Sequence, residues 1–262
     1  MAGLAWLWKA TFHLPKSTPE TLPMSDYSMI HLPFDPVAFQ VWRGERGYHN
    51  DEGQALHHLL SETFGKGVLQ PFRVMKATGA KTSSLYAYST KTIDDLRATA
   101  AETGMPNALA VCAPERIQMK GMPSAWKEGK RYAFDVRLRP VRRLAKDIGG
   151  YKKGAEVDAY QVACLNARYS AVSEPIGTRE DVYLEWLQER LMGAATVDTG
   201  TMKRFQMHKA SRKGRSINGP DITFHGELTV TDPVAFAELL RGGVGRHKAY
   251  GFGMLLLRPV QD

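Results

Sequence analysis

Two places in the 262-residue sequence bring together residue types that could move protons and hold phosphate. The first is Asp51 to Phe64, where Leu56, Leu59, Leu60 and Phe64 recur at helical spacing and define a buried stripe. A turn of about 100° per residue sets His57 about 85° from the centre of that stripe and His58 about 175° from it. His57 therefore sits between core and solvent, and His58 points outward. A boundary imidazole either fills a structural hydrogen-bonding role or acts as general acid and base. Neighbours about 100° apart cannot share a metal ion, and no His follows at i+4, so no helical zinc site is expected. Arg43, Arg46 and Tyr48 precede the helix and could fold beside its start. With His57 they would make an acid–base group with phosphate holders.

The second place is Gly242 to Gly253, in which Gly243, Gly245, Gly251 and Gly253 surround Arg246, His247 and Lys248. It follows a helical pattern and precedes an apolar strand, the reverse of the strand-to-helix order that a dinucleotide fingerprint or P-loop requires, and it has no Gly-Lys-Ser/Thr. No nucleotide cofactor is expected. Such glycines let the backbone approach a partner closely while the cations meet phosphates.

The charge has a matching distribution. The net charge is +8, yet Lys127 to Lys153 carries +7 and Thr199 to Pro220 carries +6, leaving a body of −5. The first segment holds Arg137, Arg139, Arg142 and Arg143; the second holds Lys203, Arg204, Lys209, Arg212, Lys213 and Arg215. Two runs of one sign on an acidic body suit a polyanion. Tyr132, Phe134 and Phe205 interleave with these cations, either to stack bases or to fill the core. Cys112 and Cys164 are too few for a disulfide scaffold or a cysteine-based zinc site, as in a reducing cytosol. The apolar run Leu4 to Trp8 is too short for a membrane span or signal peptide, and Pro15 to Ser25 reads as a surface connection, so the chain is expected in the cytoplasm.

The elements that must position these groups repeat. Tyr27 to Phe34 reads as a strand, Asp35 to Asn50 as a loop, Asp51 to Phe64 as a helix, and Gln70 to Ala77 with Leu85 to Ser89 as a hairpin. A helix from Ile93 to Glu102 opens on the capping box Thr92-x-x-Asp95, and Ala108 to Ala113 offers a strand. In the second half come strand Tyr132 to Arg139, helix Arg179 to Met192 behind Thr178-x-x-Asp181, strands Arg204 to His208 and Ile222 to Val230, helix Pro233 to Leu240 and strand Met254 to Pro259. Two βαββαβ halves predict an α+β chain of tandem ferredoxin-like (RRM-like) domains, residues 1–125 and 126–262. That fold hosts many functions and decides none, but its open sheet face suits RNA.

The motif Gly243-Val-Gly245-Arg-His-Lys248-Ala-Tyr-Gly251-Phe-Gly253 closely resembles the glycine-rich loop of the CRISPR repeat-processing endoribonucleases, in particular their CasE-type members. Trp186-Leu187-Gln188 followed by Gly193-Ala-Ala195 looks like a matching helix, and Leu56-His57-x-x-Leu60 is similar to the segment holding the family's acid–base histidine. Gln54 stands where CasE-type enzymes often carry a Tyr one turn before that histidine. The stretches Asp35 to Asn50 and before Tyr27 are longer than usual, as in a divergent branch such as the processing enzymes of type IV CRISPR systems. The resemblance implies cleavage of a repeat hairpin in precursor CRISPR RNA, without metal or cofactor, by attack of the RNA's own 2′-hydroxyl. His57 would move the proton, with Arg43, Arg46 and Tyr48 as candidates for the second group. The basic segments and the glycine-rich loop would hold the RNA, and the enzyme would be able to keep its mature crRNA and join other subunits of a crRNA-guided effector complex. A non-catalytic RNA-binding subunit of a ribonucleoprotein is the alternative; a metal-dependent nuclease ranks last, because no Asp/Glu cluster has ligand spacing.

Overall fold

The computed structural model describes residues 26–49, 51–76, 82–169, 175–212 and 215–260, with backbone alone for 209–212 and 215–217. The run Leu4 to Trp8 and the Pro15 to Ser25 connection lie outside the described residues. The first half runs β1 (Ser28–Phe34), α1 (Pro36–Glu45), α2 (Glu52–Phe64), β2 (Phe72–Met75), β3 (Ser83–Ser89), α3 (Ile93–Thr103), α4 (Pro106–Cys112) and β4 (Gln118–Gly121). Its sheet has the order β2-β3-β1-β4 and is antiparallel throughout.

The second half has β5 (Arg131–Leu138), a small pair β6 (Val141–Arg143) and β7 (Glu156–Asp158), α5 (Ala159–Tyr169), α6 (Arg179–Leu191), β8 (Ala195–Arg212), β9 (Arg215–Val230), α7 (Pro233–Gly242) and β10 (Leu255–Pro259). Its main sheet is β10-β5-β9-β8, again antiparallel. In each four-stranded sheet the first and third of its strands in chain order lie in the middle, so both halves are ferredoxin-like units.

Four expectations change. The Asp35 to Asn50 loop contains α1, because the Asp35 carboxylate accepts from the backbone N–H groups of Val37 and Ala38, Pro36 fits the first turn, and Phe39 and Trp42 bury one face. The Ala108 to Ala113 strand is instead α4, opened by Pro106, with Ala108, Val111 and Cys112 buried at helical spacing. The strand of that half falls on Gln118–Gly121, where Gln118 is exposed and the other three half-buried, so no apolar run marks it. The strands expected at Arg204 to His208 and Ile222 to Val230 are parts of one hairpin paired from Ala195↔Val230 to Arg212↔Arg215.

The hairpin is tightly packed at its shift of register. β8 shifts register between Val197 and Thr199, next to the Gly200↔Gly226 pair, and a β-carbon on Gly226 would run into the Thr199 carbonyl and stand 2.9 Å from the Phe134 ring. Backbone cannot swing aside as a long side chain can, so Gly226→Ala is expected to destabilise the protein by about 1–3 kcal/mol. A urea unfolding midpoint unchanged from wild type would show that the sheet relaxes around it.

Candidate functional site

His57 lies where the two halves meet. α2 starts behind Asp51, whose carboxylate accepts from the Gln54 N–H at 2.8 Å. It buries Leu56, Leu59, Leu60 and Phe64, leaving His57 half-buried and His58 exposed, as the helical arithmetic expects. The His57 ring meets the edge of Tyr250 at 5.4 Å between centroids. Tyr250 comes from the other half, inside the glycine-rich stretch. The approach requires Gly53: a β-carbon there would stand 3.0 Å from the Tyr250 carbonyl oxygen.

The loop is held from below. Val244 N–H donates to the Gly253 carbonyl and Gly253 N–H to the Arg137 carbonyl, both at 2.7 Å, closing it on β5. Gly245 packs over Trp186, where a β-carbon would stand 2.6 Å from the indole. All four glycines of the motif have φ between 73° and 83°, and His247, a non-glycine, has φ 63°. A left-handed histidine carries strain of about 1–3 kcal/mol. Glu156 of β7 offsets it, lying 2.8 Å from the His247 Nε2 and 2.5 Å from the Arg246 Nε. Those contacts, the His247 hydrogen bond first, hold the Glu156 carboxyl below the usual range.

Arg43, Arg46 and Tyr48 gather on the His58 side of α2. Tyr48 stacks on His58 at 5.1 Å and on Trp42 at 6.1 Å. Arg46 covers the Trp42 ring at 4.4 Å and pairs with Glu62 at 2.9 Å, while Arg43 donates to the His49 carbonyl at 3.0 Å. From the other half, the ring brought against His57 is that of Tyr250. Sequence reasoning placed it in the loop but had no means of knowing that the loop folds onto the other half's helix.

The predicted RNA-binding cations divide. Arg137 grips the fully buried Asp221 through two hydrogen bonds of 2.8 Å, Arg142 pairs with Glu189 at 2.6 Å, and Arg139 is 2% exposed. Arg143, Lys203 and Arg204 are exposed, Arg246 is exposed but paired, and Lys248 is half-buried with no ion-pair partner among the described residues. Lys209, Arg212 and Arg215 lie on the hairpin strands; Lys213 lies outside the described residues. Of the three aromatics, Phe134 is buried, Tyr132 is half-buried and Phe205 is exposed. His208, on β8, is a group that no sequence pattern singles out: burial pushes its pKa down, against the pull of Asp221 and Asp51.

Among the described residues no group of three or more His, Cys, Asp or Glu could hold a metal ion, and no helix is long and apolar enough to cross a membrane. The Glu156 anchor makes the fold sensitive to pH. Its folded pKa lies below its unfolded one, so its contribution to stability is fully present above the ordinary glutamate range and is lost as pH falls below that range through the folded pKa. Glu156→Gln is expected to lower the urea midpoint at pH 7, and by less at pH 3. An equal gap at both pH values would refute the anchor.

Comparison with known proteins extends these observations. The profile of a family described as "CRISPR associated protein" matches residues 29–259. The CRISPR system Cascade subunit CasE of Escherichia coli is 32% identical over 82 residues, 31% of this chain and 41% of that protein. The CRISPR-associated endoribonuclease Cse3 of Thermus thermophilus is 28% identical over 136 residues, 52% of this chain and 59% of that protein. The chain thus aligns with about half the length of these curated relatives. A structure of Thermus thermophilus Cse3 bound to an RNA representing a pre-cleavage complex superposes with a TM-score of 0.60 at 21% identity, covering 89% of this chain and 99% of that one. Since the family profile spans nearly every described element of both halves, from β1 to β10, the chain belongs to the CRISPR-associated protein family.

Proposed function

We propose that the protein is a CRISPR RNA-processing endoribonuclease that binds the repeat hairpin of precursor CRISPR RNA and cleaves it to mature crRNA. The observation that carries this reading is the meeting of a half-buried, boundary histidine with the glycine-rich loop of the other half, in a family whose relatives include named endoribonucleases. Residues 1–125 form the domain that supplies His57, and residues 126–262 the domain that supplies the loop and the basic segments. The enzyme acts in the cytoplasm, and it hands its product to the other subunits of a crRNA-guided complex, as the Cascade subunit among its relatives suggests.

The chemistry needs one proton relay and one phosphate holder. The RNA 2′-hydroxyl attacks the adjacent phosphorus as its proton leaves; the bond from phosphorus to O2′ forms while the bond to O5′ breaks. The products are a 2′,3′-cyclic phosphate and a 5′-hydroxyl, so no water and no metal ion enters the step. His57 moves the proton, a role typically worth about 10²–10⁴-fold. Lys248, two residues from Tyr250 and without a carboxylate partner among the described residues, steadies the charge on phosphorus. The exposed Lys203 and Arg204 hold the A-form stem by its backbone, since side chains cannot enter its deep groove. Tyr250 is a positioning residue whose ring packs edge to face with the His57 ring.

His57→Ala is expected to cut single-turnover cleavage by about 10²–10⁴-fold while leaving hairpin affinity within about twofold. Unchanged cleavage would reject His57 as the proton carrier; intact RNA with wild-type protein would favour the binding-only subunit. For Tyr250, the ring and not its hydroxyl should matter. Tyr250→Phe is expected to cleave at the wild-type rate, and Tyr250→Ala about tenfold more slowly with unchanged affinity, a loss of roughly 1.4 kcal/mol in the barrier. Equal rates for Tyr250→Ala and wild type would remove the positioning role.

A further inference from the structure

A groove of about 240 Å³ opens beside the His57 cleft and takes no part in the chemistry above. Tyr27 and Tyr88 are in its lining, both buried, with rings meeting edge to face at 5.6 Å. The Tyr88 hydroxyl donates to the Leu255 carbonyl at 2.9 Å. Lys66 and Lys91 line the groove, are exposed, and have no ion-pair partner among the described residues. Arg241 also lines it and pairs with Asp26 at 2.9 Å, so the surroundings stay net positive.

The groove is continuous with the candidate site. Gly67 and Gln70 line it on one side and, on the other, line the cleft that holds His57 and Ala249 of the glycine-rich loop. A strand whose phosphate lies at His57 therefore has a path over the Gly67 turn toward Lys66. The volume is below the range of about 300–1,000 Å³ typical of pockets for larger organic ligands. A small groove with two unpaired lysines in its lining suits one nucleotide held chiefly by its phosphate, as positively charged grooves that track the backbone hold unpaired nucleic acid.

We propose that this groove holds one unpaired nucleotide of the RNA strand adjoining the cleavage point, with its phosphate met by Lys66 and Lys91. The proposal rests on the RNA-processing reading. It gives the first half a grip on single-stranded RNA distinct from the stem contacts of the second half.

The test uses full-length His57→Ala protein, which keeps RNA intact, and the same protein with Lys66→Ala and Lys91→Ala. Both lysines are exposed, so the fold survives their truncation. Affinity is measured for the repeat hairpin alone and with three unpaired nucleotides on its 5′ or 3′ side. For one of the two sides, flanked RNA is expected to bind His57→Ala about tenfold tighter than bare hairpin. The lysine variant should erase that gain, leave bare-hairpin affinity unchanged and lower the salt slope by about 0.7 for each single-strand phosphate that it no longer neutralises. A gain equal in both proteins, or absent from both, overturns the proposal. If UMP at saturating concentration binds the groove but the flanks add no affinity, the groove is a free-nucleotide site and the proposal is likewise wrong. Failure of either protein to hold the bare hairpin sinks the RNA-processing reading, and this proposal with it.

Discussion

The structure depends on one seam, along which the start of α2 is pressed against the glycine-rich loop of the other half. A side chain at Gly53 would press on the Tyr250 backbone, 3.0 Å from its carbonyl oxygen. The same seam carries an ion pair of 3.1 Å from Arg73 on β2 to Asp135 on β5, which in turn meets His225 at 2.7 Å. Tyr27, Met29, Tyr86 and Tyr88 of the first half share a core with Phe134, Leu255 and Trp186 of the second. A buried pair of this kind adds little net stability, but removing one partner is costly, so it favours one docking geometry over others. Only in that geometry does His57 face Tyr250.

The seam also explains where the positive charge goes. Much of the second half's excess is neutralised internally: Arg137 by Asp221, Arg142 by Glu189, and Arg246 by Glu156. These pairs brace the loop and the sheet beneath it, since Arg137 also lies over the Phe252 ring at 4.5 Å. Among the described loop and strand cations expected to hold RNA, Arg143, Lys203, Arg204 and Lys248 keep no ion-pair partner, and Lys66 and Lys91 lie across the seam. Total charge pointed to the partner class, and pairing selects the residues that face it.

Much of this was legible in the residues themselves. The capping boxes at Thr92 and Thr178 form as their spacing implies, and the stripe of Leu56, Leu59, Leu60 and Phe64 is buried with His57 at its edge. The glycine motif was readable because a run of left-handed positions admits few residues besides glycine. The sequence misled where local signals competed: Asp35-Pro36 is a helix start as well as a loop signature, and Ala108 to Cys112 has an apolar run that suits strand or helix alike. It was silent where the answer is a long-range contact. Nothing near Tyr250 names α2 as its neighbour, nothing near Arg139 says that it is buried, and the β6–β7 pair with α5 forms a small core of Leu144, Val157 and Val162 from a stretch whose charges dominate its pattern.

An imidazole held across this seam, driving attack by the RNA's own 2′-hydroxyl, is the centre of the proposed mechanism. The most direct measurement incubates the wild-type protein in EDTA with its cognate repeat RNA, beside a copy carrying a single 2′-deoxy substitution at the cut site. The mechanism predicts full cleavage of the first, with a 2′,3′-cyclic phosphate end, and none of the second. Cleavage of the deoxy RNA, or loss of cleavage in EDTA, would contradict it.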